Sequence, residues 1–227
     1  MVGGPIELVV TDLDGTLWDR DEAFRALVDT QHRTFPELAA LPREQYVKRV
    51  IELDDHGVGE KSAAYAQVVS EFGLPATLAP ILFDHFVTSY ASFFDPFPEV
   101  LPTLRWLRDR RLKLGIITNG SIGAQESKIQ RLGLAPLMEA VLISEREGVR
   151  KPDKAIFDRA LARLGVDAAS AWFVGDHPDA DIRGASEAGL TAIWRRSWGE
   201  AVHATHTITA LDELIPLLNA DGAGARR

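Results

Sequence analysis

Asp12 and Asp14 close the first apolar run of the chain, in the hexapeptide Asp12-Leu13-Asp14-Gly15-Thr16-Leu17. Later runs end in Thr118-Asn119-Gly120 and in Gly175-Asp176, the second followed by Asp179 and Asp181. Lys151-Pro152-Asp153 stands just before a helical stripe. If the apolar runs are parallel strands, these groups share one edge of one sheet, the carboxyl edge at which open α/β sheets hold ligands. Such a set suits phosphoryl transfer, because a carboxylate nucleophile that accepts a phosphoryl group splits one hard step into two. The obstacle is charge: nucleophile and phosphate, both anionic, repel by about 4 kcal/mol at ~4 Å in an effective dielectric of ~20. Carboxylates that converge without histidine select a hard, oxygen-loving cation, and Mg²⁺ is the usual one beside phosphate. Lys151 supplies a second positive charge and Thr118 a hydroxyl donor, while backbone amides in the turns after Asp12 and Thr118 can form an anion nest.

Each cluster also has a plainer reading. Asp14-Gly15 is a common turn. Asn119-Gly120 is a strong hairpin signal, but a helical stripe follows it rather than a second strand. A lysine before proline is usually a solvated surface residue, and Asp179 alone reads as a helix N-cap. His177 reads as structural or loosely substrate-facing, and Trp18 and Arg20 as lining a pocket or as exposed joint residues. Asp12 and Asp14 are two apart, so on an ideal strand their side chains share a face. The plainer readings hold one at a time; the convergence of Asp12, Asp14, Thr118, Lys151, Asp176 and Asp181 is what they leave unexplained.

The elements that must position these groups alternate. Strand-like runs cover Ile6–Thr11, Leu112–Thr118, Ala140–Ile143, Ala171–Val174 and Leu190–Trp194, with a weaker one at His206–Ile208. Helical spacing lies between the later ones: around Leu101–Leu107, Ile122–Leu132, Ile156–Leu164, Asp179–Ala188 and Leu211–Leu218. This order of βα units predicts a mostly parallel sheet. The region Arg20–Phe94 breaks the rhythm. It holds no convincing strand and predicts helices near Glu22–Arg33, Arg43–Asp55, Lys61–Phe72 and Leu78–Phe93, set apart by Pro36, Pro42, Gly57, Gly59, Gly73 and Pro75. The expected division is an α/β catalytic core at 1–19 and 96–227 and an inserted all-helical cap at 20–95, with a frayed tail at Ala220–Arg227.

Composition narrows the function classes. The chain has 227 residues, 46% of them hydrophobic, a formal net charge of −8 and no cysteine. Disulfides, thiol catalysis and thiolate metal sites are excluded. The acidic surface argues against a nucleic-acid or anionic-membrane partner. No apolar stretch approaches the length of a membrane span, and the N-terminus lacks the basic and apolar parts of a signal peptide. The expectation is a soluble cytoplasmic protein with no membrane partner; oligomeric state is not readable.

Asp12-Leu13-Asp14-Gly15-Thr16-Leu17, Ile117-Thr118-Asn119-Gly120, Lys151-Pro152 and Gly175-Asp176-His177-Pro178-Asp179-Ala180-Asp181 resemble the four motifs of the haloacid dehalogenase superfamily, in that superfamily's order, over roughly residues 6–215. The resemblance implies a Rossmann-like parallel sheet core flanked by helices, with a helical cap. It implies Asp12 as the nucleophile that becomes an aspartyl-phosphate, and Asp14 as the group that protonates the leaving oxygen and then deprotonates water. Thr118, Asn119 and Lys151 would bind the substrate phosphate. Asp12, the backbone carbonyl of Asp14, and Asp176 would bind Mg²⁺. Asp181 would orient Lys151 or a metal-bound water, with Asp179 either a cap or an outer acid. The implied activity is a Mg²⁺-dependent phosphatase acting on a small phosphorylated metabolite. The alternatives are a 2-haloacid dehalogenase, whose branch needs no metal and lacks the second aspartate of the first motif, and a sugar phosphomutase. A receiver module, which is shorter and lacks the insert, is the non-catalytic alternative. The run Gly148-Val149-Arg150-Lys151-Pro152, with Thr118-Asn119-Gly120, leans towards nucleotidase-like and acylneuraminate phosphatases.

Overall fold

The computed structural model describes residues 5–57, 59–196 and 203–220. The chain divides into two compact units, Asp19–Phe94 and the remainder. In the larger unit six parallel strands form one sheet in the order β3-β2-β1-β4-β5-β6. They are β1 Leu8–Thr11, β2 Lys113–Thr118, β3 Ala140–Ile143, β4 Ala171–Gly175, β5 Thr191–Arg195 and β6 His206–Ile208. β1, β2 and β4 are buried over almost their whole length, which is why they read as continuous apolar runs rather than alternating ones. β1 lies between β2 and β4, so the strand order reverses beside it, at the switch point where doubly wound sheets open a crevice.

The smaller unit is helical: α1 Arg20–Thr34, α2 Arg43–Asp54, α3 Lys61–Glu71 and α4 Leu78–Ser89. Asp19 caps α1 by accepting from the Glu22 amide at 2.8 Å, which starts that helix two residues before the spacing of its apolar stripe suggests. The helix expected across Leu78–Phe93 tightens into a 3₁₀ turn at Tyr90–Phe93. Phe24, Leu27, Tyr46, Tyr65, Val68 and Leu82 are buried in this unit.

The larger unit continues with α5 Val100–Asp109, α6 Ile122–Arg131, α7 Ser144–Glu147, α8 Lys154–Leu164, α9 Gly184–Glu187 and α10 Leu214–Ala220. Asp153 caps α8 through the Ala155 amide at 2.9 Å, and Gly165 ends it in the left-handed conformation. Ile156, Phe157, Ala160 and Leu164 of α8 pack with Val10, Ile117 and Phe173 into the core beneath the sheet edge that carries the polar clusters. Ala220 ends α10; the rest of the tail expected at Ala220–Arg227 lies outside the described residues. Among the described residues no helix is long and apolar enough to cross a membrane.

Candidate active site

β1 ends at Thr11, and the Asp12 amide still bonds the Val174 carbonyl of β4 at 2.8 Å. That bond carries Asp12 to the switch point and sets its side chain beside those following β4. Asp12, Asp176 and Asp181, all buried, each offer a carboxylate oxygen within 4.8 Å of the others. The Lys151 ammonium reaches Asp12 Oδ1 at 2.5 Å and Asp181 Oδ1 at 2.6 Å. Thr16 donates to Asp176 Oδ1 at 3.4 Å, and the His177 amide donates to Asp181 Oδ2 at 3.0 Å. The turn after Asp12 needs glycine on two counts. Gly15 has a φ of +78°, and a Cβ there would stand 2.2 Å from Asp176 Oδ2.

Burial pushes the Asp12 carboxyl well above the ordinary range; Lys151 pulls it back, and the like charges of Asp181, Asp176 and Asp14 push it further up. Burial on its own lowers Lys151, but Asp12 and Asp181 outweigh it and raise the ammonium above its usual value. Lys151 is therefore one cation shared by two acids, and around Asp12 the acids outnumber it.

The second loop is locked to the third. Asn119 Nδ2 donates to the Lys151 carbonyl at 3.0 Å, and the Lys151 amide donates to Asn119 Oδ1 at 2.9 Å. Both ends of the Asn119 amide are thus committed to the main chain that carries Lys151. Thr118, at the end of β2, is buried, and its Oγ1 accepts from Gln125 Nε2. A hydroxyl that accepts in this way keeps its own proton for another acceptor.

Three sequence expectations change. Asp12 and Asp14 both lie beyond the end of β1, so the two-residue period of an ideal strand does not govern where their side chains go. Asp14 instead meets Lys128 Nζ at 2.7 and 2.8 Å, Gln125 Nε2 at 2.9 Å and the Trp18 indole N–H at 3.0 Å. Asp179 is no N-cap. His177 takes that place, its Nδ1 accepting from the Asp179 and Ala180 amides at 3.2 and 3.1 Å, and the segment it caps opens with a π-helical turn at Pro178–Arg183. Asp179 is exposed and pairs with Arg183 at 2.5 Å. Trp18 and Arg20 are buried rather than exposed joint residues.

The sequence pattern of the haloacid dehalogenase-like hydrolases matches residues 6–189. The chain belongs to that family. It is 32% identical over 199 residues to a glyceraldehyde 3-phosphate phosphatase of Methanopyrus kandleri, covering 83% of each chain. Among solved structures it resembles a 2-haloacid dehalogenase of Pseudomonas syringae at 34% identity and a TM-score of 0.60, over 96% of this chain and all (100%) of that one. It shares the fold of the magnesium-bound HAD-hydrolase YfnB of Bacillus subtilis at 22% identity and a TM-score of 0.75, over 95% of this chain and 100% of that one.

Within this haloacid dehalogenase-like site, Gln125 and Lys128 are the residues that sequence reasoning missed. Read for its apolar stripe, α6 shows Ile122, Ile129 and Leu132. Its opposite face, with two polar residues three apart, looks like solvated surface. The available signal was the i, i+3 spacing directly after Thr118-Asn119-Gly120.

Proposed function

We propose that the chain is a phosphatase acting on a small phosphomonoester through an aspartyl-phosphate on Asp12. The observation that carries this reading is the contact of Lys151 with both Asp12 and Asp181 beside Asp176, at the switch point of the sheet. The phosphatase relative at 32% identity supports the same class. In the first step an Asp12 oxygen attacks phosphorus. The bond to the leaving oxygen breaks with its electron pair, and Asp14 gives that oxygen a proton. In the second step water attacks phosphorus and gives a proton to Asp14, and the Asp12–phosphorus bond breaks to restore the carboxylate. Lys151 and the Thr118 hydroxyl hold phosphoryl oxygens. Asn119 serves through its grip on the Lys151 main chain, a positioning part rather than a side-chain contact to phosphate.

Three buried carboxylates with hard oxygen donors, one of them driven up by burial and like charge, fit a divalent cation. Asp12, Asp176 and the backbone carbonyl of Asp14 would hold Mg²⁺, with Asp181 beside them. When bound, Mg²⁺ supplies positive charge that offsets the nucleophile and the phosphate. The helical unit, which follows the first motif in the chain, is assigned the part of a cap that selects the substrate. The acidic composition favours a small metabolite over nucleic acid.

The Pseudomonas syringae 2-haloacid dehalogenase, at 34% identity, favours a second reading, against which stands Asp14. Phosphate release from a panel of phosphometabolites, with Mg²⁺ and with EDTA, separates the readings when run beside halide release from a 2-haloacid. Metal-dependent release of inorganic phosphate is expected, and its appearance in solution also separates hydrolysis from return to a sugar by a mutase. Metal-independent halide release without phosphatase activity would reverse the assignment.

A further inference from the structure

Asp14 sits in a holder built from three parts of the fold. Gln125, 2% exposed, donates from Nε2 to Asp14 Oδ2 at 2.9 Å and to Thr118 Oγ1. Its Oε1 accepts from Lys128 Nζ at 2.8 Å. The amide orientation is fixed by charge, since only the carbonyl end can face an ammonium and only the NH₂ end can face two acceptors. Lys128 bridges both Asp14 oxygens and lies 5.6 Å from the Trp18 ring centroid, and the Trp18 indole donates to Asp14 Oδ1. Room for Gln125 comes from Gly120, where a Cβ would stand 2.8 Å from Gln125 Cδ. An ion pair that merely decorates a helix surface needs no buried amide, no indole and no glycine cleared for it.

We propose that Lys128 and Gln125 are positioning residues for Asp14. They fix the carboxyl group that serves the leaving oxygen and couple its place to that of Thr118, which faces the transferred phosphoryl group. This rests on the reading of Asp14 as the group that protonates the leaving oxygen as the phosphorus–oxygen bond breaks; Lys128, against both Asp14 oxygens, gives Asp14 the proton that it passes on and takes one back when water gives its proton to Asp14. Positioning of a proton donor has a kinetic signature that general support of the fold lacks. A poor leaving group needs the proton; a stable phenolate such as p-nitrophenolate hardly does. Loss of the holder therefore steepens the dependence of rate on leaving-group basicity.

The test is kcat/KM for a series of substituted phenyl phosphates, from p-nitrophenyl to p-methoxyphenyl, with saturating Mg²⁺. Asp14→Asn is the reference and should steepen the slope. Lys128→Met should steepen it too, lowering the rate on the most basic leaving groups by about 10-fold or more, the worth of a charge-assisted contact, and sparing p-nitrophenyl phosphate. Lys128 is 14% exposed on a helix, and methionine is a good helix former, so this variant should keep the fold. Because the chain has no cysteine, Lys128→Cys treated with 2-bromoethylamine rebuilds a side chain that ends in ammonium at this position alone. Recovery of the wild-type slope in the treated protein, and not in the untreated one, supports positioning. An equal loss on every ester, or none, in Lys128→Met while Asp14→Asn still steepens the slope overturns the inference and leaves the phosphatase reading standing. An unchanged slope in Asp14→Asn, or no hydrolysis by the wild type, removes the reading and the inference with it.

Discussion

Buried carboxylates are supplied with charge in opposite ways in the helical unit and at the carboxyl edge of the sheet. In the helical unit Asp54, with a side chain 2% exposed, faces two cations: Arg20 at 2.5 Å and Lys61. Asp29 likewise meets both Arg33 and Arg43. At the carboxyl edge of the sheet the proportion is reversed, for among the described residues Asp12 and Asp181 share the Lys151 ammonium, with Asp176 close by, whereas the buried Glu147 of the same unit meets both Arg159 and Arg163. The pKa directions follow: Arg20 is raised by Asp54 against the opposing pull of burial, whereas Asp12 is raised by burial and by neighbouring acids. A buried acid with cations on both sides belongs to the scaffold, because removing it strands them. A buried acid short of cations leaves room for a positively charged ligand, and the sheet edge where this occurs is the one where the chemistry is proposed.

The contrast can be broken by matched substitutions. Asp12→Asn keeps the shape and removes the nucleophile, so turnover should fall by roughly 10³-fold or more. The melting temperature should stay level or rise, because the cluster loses a like charge. Asp54→Asn should do the reverse to stability. It takes from Arg20 and Lys61 the buried carboxylate that they share, leaving Arg20 with Asp21, and should cost about 3–5 kcal/mol in urea unfolding, the usual loss when one partner of a buried pair is removed. A cost under about 1 kcal/mol, as for an exposed pair, would mean that Asp54 is not a scaffold acid of this kind. The smallest effect sharpens the comparison at the cation. Mg²⁺ at about 100 times its dissociation constant should stabilise the folded chain by about 2.7 kcal/mol. The shift should vanish in Asp176→Ala and persist in Asp54→Asn; the same shift in Asp176→Ala would place the ion elsewhere.

The parts of this arrangement that were legible in the sequence lie at strand ends. Asp12, Thr118, Asp176 and Asp181 follow apolar runs that form β1, β2 and β4, and a short polar cluster after a buried strand has one edge to go to. Lys151 was legible only in company, through its place before the capped helix α8. The rest was hidden for identifiable reasons. The holder of Asp14 lies in mid-helix, where polar residues look alike whether they face solvent or a carboxylate, so Gln125 and Lys128 showed no more than their i, i+3 spacing after Thr118-Asn119-Gly120. For Trp18 the sequence allows a pocket-lining or a joint residue, because it shows where the chain leaves the sheet but not what the indole meets. Asp179 lost the cap to His177 because the His177 Nδ1 lone pair stands where both the Asp179 and Ala180 amides reach it, whereas N-cap preferences point to Asp, Asn, Ser and Thr. The strand order, with β1 between β2 and β4, is set by packing across the sheet and leaves no mark on any one strand.

The central claim is that the acid left short of cations, Asp12, carries the phosphoryl group. Borohydride reduces an acyl phosphate to an alcohol, so an aspartyl-phosphate trapped during turnover becomes homoserine. The protein would be quenched in mid-turnover with Mg²⁺ and its best phosphomonoester, reduced, and mapped by peptide mass spectrometry. The account predicts homoserine at position 12, absent when EDTA is present and absent in Asp12→Asn. Homoserine at another aspartate, or none at position 12 while phosphate is still being released, would contradict it.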